Sequence, residues 1–200
     1  MIDYLAILTK LLIDYHSGRV VPEWRHETEE SRIARIERIA RGNIRACEQQ
    51  PVGRFQFDEC LALVSTLEKF ESGLILEVHA GTTLGKAGER CLGQLHRTVT
   101  KVPDKHRITP EELEATTGLS QDATNVCALG IAKTFAHHSH RCTIDPNRSW
   151  LDVAVLFTEY HSPGMCVGSG AGGKRARAYQ TMVRQIRAEA SKQEKIASAK

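Results

Sequence analysis

The feature that most narrows the folds open to this chain is the period of its apolar residues. They recur at three- and four-residue intervals almost throughout, and alternation bounded by turns is scarce, so the chain reads as mainly helical. A chain patterned for stripes builds its core from packed helices. An aromatic content of 6% agrees with few strands. At 200 residues the chain can bury one real core without metal or disulfide staples. No stretch approaches the ~18 uninterrupted apolar residues of a membrane-spanning helix, which excludes a membrane span. The apolar run after Met1 is broken by Asp3, Lys10 and Asp14 and lacks a small-residue cleavage site, so no signal peptide is expected.

Capping chemistry places the element boundaries. A first helix over about residues 3–16 carries Leu5, Leu8, Leu12 and Tyr15 on one stripe, and residues 19–26, with Pro22, read as a linker. Thr28, with Glu29 and Glu30 in the first turn, opens a helix to about Ala46 that turns Ile33, Ile36, Ala40, Ile44 and Cys47 inward. Phe57 begins another, with Cys60, Leu61, Val64, Leu67 and Phe70 on a broad buried stripe ending at Gly73. Residues 74–107 hold Gly81, Gly85, Gly88 and Gly93 and no long periodic segment, which predicts loops with a short hairpin around 92–99. Thr109-Pro110-Glu111-Glu112 is a capping box. Ser120 and Ser149 cap two further helices, with Val126, Leu129, Ile131 and Phe135 inward on the first and Trp150, Val153, Val155, Leu156 and Phe157 on the second. Residues 168–173 read as a glycine-rich linker before a last helix whose apolar set is Met182, Val183 and Ile186.

Glu71 stands out against this pattern. It follows Leu67 by four residues and Val64 by seven, so its carboxyl lies over the apolar stripe near a helix C-terminus. Burying an unpaired carboxylate costs more than its neighbours return, so Glu71 either keeps a proton or has a cationic partner. Desolvation and the negative end of the helix dipole favour the proton, which is the requirement for a general acid in glycoside cleavage. A glutamate reaching a nearby Lys or Arg is the plainer alternative.

Four further motifs follow in order. Glu71-Ser72-Gly73 closes an apolar helix, Cys91-Leu92-Gly93-Gln94-Leu95 comes next, Asn125-Val126 begins a core helix after Asp122, and Tyr160-His161-Ser162-Pro163-Gly164 ends the series. Over about residues 57–165 this order resembles the lysozyme-like lytic transglycosylases of the soluble lytic transglycosylase type. Leu92-Gly93 reverses the family's usual Gly-Leu, Gly130 comes one position late, and His161 replaces an asparagine. Cys91 and the run Ser162-Pro163-Gly164-Met165-Cys166 are most similar to a subgroup in phage and bacterial wall-cleaving proteins.

The resemblance implies a mainly α, lysozyme-like α+β fold with a small loop or β region after the catalytic helix. With the linkers read above, this gives an N-terminal docking helix and linker (1–26), a peptidoglycan-cleaving domain (27–167) and a glycine-rich linker with a basic helix (168–200). The resemblance implies cleavage of the MurNAc–GlcNAc bond by Glu71 alone, without cofactor or metal, giving a 1,6-anhydro-MurNAc end. Ser72 and Tyr160 would orient Glu71 or substrate, and Gln94 would bind the sugar. Glu71→Gln is expected to abolish cleavage while leaving folding intact or improved. A hydrolytic lysozyme needs a second carboxylate, for which Glu77 and Glu89 are the candidates. A catalytically silent docking component of a phage particle or other assembly is the alternative from another class.

The implied partner is the glycan strand of peptidoglycan, at the bacterial cell wall, reached from a virion or by a dedicated delivery route. The first or last helix is a candidate for docking to a structural protein. Residues 174–200 carry eight Lys or Arg against Glu189 and Glu194, within a total of +3, but interleaved aromatics are missing and nucleic acid is not expected. His137, His138, His140, Cys142 and Cys127 have zinc-ligand chemistry, though cysteines flanking a helix and its following turn read more simply as a disulfide. Six cysteines without a C-x-x-C pair favour disulfides. Placing them on the predicted helices and beside the cleft motifs pairs Cys47 with Cys60, Cys91 with Cys166 and Cys127 with Cys142.

Overall fold

A computed structural model of the chain describes residues 2–17, 27–86, 88–96, 106–147, 150–164 and 166–199. The expected linker at 19–26, the Ser149 cap and the far side of the expected 92–99 hairpin lie outside the described residues. Among those residues there are eight helices: α1 (Tyr4–Ser17), α2 (Glu29–Gln49), α3 (Phe57–Ser72), α4 (Leu76–Ala80), α5 (Pro110–Glu114), α6 (Gln121–Arg141), α7 (Trp150–His161) and α8 (Gly170–Ser198). The fold is mainly α. The small β region reduces, among the described residues, to one antiparallel bridge between Arg90 and Leu95 around the Cys91–Gln94 turn.

The helix starts follow the caps read from the sequence. Thr28, Thr109 and Ser120 each accept a hydrogen bond from the backbone N–H three residues on, and Thr109 with Glu112 completes its capping box. α4 was not visible in the periodicity because five residues show barely one turn.

α3 occupies the centre. Leu61, Ala62, Leu63, Val64 and Leu67 are wholly buried, so the helix is covered on more than one side, by α2, α6 and α8. Each of these leucines and the valine stabilises the fold by roughly 1.5–3 kcal/mol relative to exposure. Ile7, Leu8, Leu11 and Leu12 of α1 and Met182, Val183 and Ile186 of α8 belong to the same hydrophobic cluster as α3 and α6. Phe70, Trp150 and Ile33, expected on buried stripes, are instead exposed at the margins of their helices.

The stretch expected as a glycine-rich linker is largely helix: α8 begins at Gly170, capped by Ser169. One of its glycines serves packing. A Cβ on Gly172 would stand 2.3 Å from both the Ala154 carbonyl oxygen and Thr158 Oγ1, so only glycine allows α8 to lie this close to α7.

Cys47–Cys60 forms as expected, whereas the other two expected pairs do not: the disulfides are Cys91–Cys127 and Cys142–Cys166. Cys127 lies in the second turn of α6 and Cys142 is its C-cap, with an unbroken helix between them. Fifteen residues at a rise of ~1.5 Å put their Cα atoms roughly 22 Å apart, against 5.4 and 6.1 Å in the pairs that form. Cys127 therefore reaches sideways to the Cys91 turn, and Cys142 to the segment after α7. There Glu159 accepts hydrogen bonds from the backbone N–H groups of Gly164 and Cys166 and pairs with Arg141. With both cysteines oxidised, the expected alternative of a Cys127/Cys142/histidine zinc site loses its thiolates.

Candidate active site

Glu71 ends α3 beside a cleft of about 560 Å³ lined by Glu71, Gly85, Lys86, Glu89, Gln94, His96, Tyr160 and His161. Of the site residues read from the sequence, Glu71, Gln94 and Tyr160 meet here and Ser72 does not. The Ser72 hydroxyl donates to the Glu68 carbonyl at 2.6 Å and accepts from the Leu74 N–H at 3.1 Å, so it closes the helix end instead of facing the cleft. Gly73 then takes the left-handed conformation, φ 59°, that turns the chain. Arg35 of α2, wholly buried and paired with Glu27, donates to the Leu74 carbonyl at 2.8 Å and so holds this turn against the core.

The buried carboxylate has a cationic partner. Arg175 Nη2 of α8 donates to Glu71 Oε1 at 2.7 Å, with the Glu71 and Arg175 side chains 8% and 10% exposed. Oε2 lies 3.9 Å from His161 Nε2, whose side chain is 53% exposed. The sequence offered both possibilities for Glu71, and the structure realises the ion pair. Arg175 was missed because it sits in a run of basic residues after glycines, which reads as a solvated tail. Its guanidinium also lies 5.7 Å from the centre of the Phe70 ring.

Tyr160 does not donate to Glu71. Its hydroxyl donates to the Gly93 carbonyl at 2.8 Å, clamping the end of α7 to the Cys91–Gln94 turn. Burial pushes its phenol well above the ordinary value, with the charges of Glu71 and Glu68 adding to the effect, so Tyr160 acts as a neutral donor. The turn itself lies flat on α6: a Cβ on Gly93 would stand 2.4 Å from Ile131 Cγ1. Cys91–Cys127 fastens the same turn to α6. The Gln94 and Tyr160 motifs thus lie side by side, joined by a hydrogen bond and not by the expected Cys91–Cys166 bridge.

Of the two candidate second carboxylates, Glu89 lines the cleft and Glu77, on α4, does not. One turn before Glu71, Glu68 is wholly buried; burial pushes it up to about 8, against the opposing hydrogen bond from Asn43 Nδ2 at 2.8 Å. Glu68 Oε1 and Asn43 Oδ1 have no hydrogen-bond partner among the described residues. The cleft therefore combines one carboxylate held by a guanidinium, a second carboxylate, two histidines, and amide and cationic groups suited to a polar substrate. Family models, curated proteins and solved structures were compared with this chain, and none matches it.

Proposed function

We propose that this protein cleaves the MurNAc–GlcNAc glycosidic bond of peptidoglycan, with Glu71 exchanging protons with the substrate. The observation that carries the reading is the convergence of Glu71, Gln94 and Tyr160, from three separate stretches of chain, around one cleft. On the simplest course Glu71 protonates the departing oxygen and then accepts the proton of the MurNAc 6-hydroxyl as that oxygen attacks the anomeric carbon, giving a 1,6-anhydro end. Gln94 supplies amide hydrogen bonding to the sugar, and Tyr160 fixes the wall that carries Gln94. The three disulfides support a site of action outside a reducing cytoplasm, such as the cell wall reached from a virion.

A hydrolytic course is the second reading, favoured by the presence of Glu89 in the same cleft. Digestion of purified peptidoglycan with the oxidised protein, followed by mass spectrometry, tests both. The expected products end in 1,6-anhydro-MurNAc, and Glu71→Gln releases none. Reducing ends move the assignment to hydrolysis through Glu89. No release by the wild type overturns enzymatic cleavage and leaves the docking component.

A further inference from the structure

The two oxygens of Glu71 have different surroundings, and the difference bears on which group handles which proton. Arg175 reaches Oε1 from α8 and is not among the cleft-lining residues, while Oε2 is the oxygen near His161, which does line the cleft. A guanidinium donating to a carboxylate complements its charged form. A glutamate held in this way is set up to take a proton, and of the cleft's groups that can give one, the His161 imidazole is the one placed 3.9 Å from its Oε2 oxygen.

We propose that His161 is the proton donor to the departing glycosidic oxygen and that Glu71, anchored by Arg175, is the base that takes the proton of the attacking 6-hydroxyl. The inference rests on the glycoside-cleaving reading above and reassigns to His161 the protonation of the departing oxygen given there to Glu71. The imidazolium Nε2–H gives its proton to the bridging oxygen as the bond from the MurNAc anomeric carbon to that oxygen breaks, and the bonding pair leaves with the GlcNAc oxygen. The lone pair of the MurNAc 6-oxygen forms the new bond to the same carbon, and the hydroxyl proton passes to Oε2. His161 ends neutral and Glu71 protonated, and return of that proton to Nε2, directly or through one water, resets the pair without any co-reactant.

The separation suits this division. Bridging oxygen and 6-hydroxyl lie on the same face of the reacting ring in anhydro formation, which is why a single carboxylate can serve both. Two groups 3.9 Å apart cover the same reach. An inverting hydrolysis needs acid and base on opposite faces, ~6.5–9.5 Å apart, and this pair does not fit it.

The test compares His161→Asn with the wild type on two substrates: peptidoglycan, and a 2,4-dinitrophenyl glycoside of the GlcNAc–MurNAc disaccharide, whose leaving group departs without protonation. His161→Asn is expected to lose ~10²-fold or more in turnover on peptidoglycan and to stay within about threefold of wild type on the aryl glycoside, the general-acid contribution being removed from one reaction only. Glu71→Gln is expected to lose both activities, and because it unbalances a buried pair, Glu71→Gln with Arg175→Met serves as a second variant. Full activity of His161→Asn on peptidoglycan, or equal losses on both substrates, overturns the acid role of His161 while leaving Glu71 in place. Activity in a folded Glu71 variant overturns the underlying reading itself.

Discussion

Glu71 and Arg175 each depend on the other for burial. Removing one partner of a buried pair leaves a desolvated charge, at a cost of about 3–5 kcal/mol. Arg175→Met is therefore expected to lower stability by about that amount. Glu71→Gln keeps an oxygen that accepts from Nη2 but removes the counter-charge, so the loss is smaller, about 1–3 kcal/mol. This reverses the expectation from the sequence, in which replacing a lone buried acid by its neutral isostere is harmless. Chemical denaturation of the two single variants and the double variant checks it: the double variant should be more stable than the sum of the single losses requires. Strict additivity would show that the two side chains do not share the pair.

At the scale of elements, the α7–α8 contact positions Arg175. Gly172 lets the first turn of α8 approach the Ala154 carbonyl, and Arg175 follows within one turn on the way to Glu71. A methyl at Gly172 has to displace backbone, so Gly172→Ala is expected to destabilise by about 1–3 kcal/mol and to lower cleavage by moving Arg175. Gly173→Ala is the control. Its Cβ would meet only Trp150, at an ordinary 3.7 Å, and replacing a helical glycine by alanine stabilises by about 0.5–1 kcal/mol. The unfolding temperature should fall for Gly172→Ala and rise for Gly173→Ala, and peptidoglycan release should drop for Gly172→Ala alone. Equal tolerance at both positions would show that the close approach does not constrain α8.

For the molecule as a whole, three buried groups make stability depend on pH between about 3 and 8. Burial pushes Glu68 up to about 8 from 4.5, and pushes His79 down to about 3 and His138 down to about 4 from 6.5, with nearby cationic groups adding to both histidine shifts. The folded state holds the Glu68 proton more tightly than the unfolded chain does, so that contribution is complete below pH 4.5 and is lost as pH rises through 8. The histidines are folded in their neutral form, so their contribution is complete above pH 6.5 and is lost as pH falls toward 3. Two histidines outweigh one glutamate between pH 4.5 and 6.5, and Glu68 acts alone from 6.5 to 8. The unfolding temperature should therefore peak near pH 6.5, and Glu68→Gln should remove the alkaline decline while leaving the acid one. A Glu68→Gln profile that still declines toward pH 8 would assign that limb to another group. The sequence alone determined the helical class, the caps at Thr28, Thr109 and Ser120, and the position of Glu71 at the end of a buried helix, because caps and stripes are interactions among residues no more than about four apart. The unbroken run of α6 from Cys127 to its C-cap Cys142 forbids the Cys127–Cys142 pair expected from the sequence. Only the tertiary structure decided that Arg175, 104 residues away, is the partner of Glu71, that Cys91 meets Cys127, and that Tyr160 bonds to Gly93 instead of Glu71. Those pairings depend on how each helix is rotated and how closely it docks, and one residue of rotation turns a side chain by about 100°. The steric room at Gly172 and Gly93 sets that docking, and no local pattern encodes it.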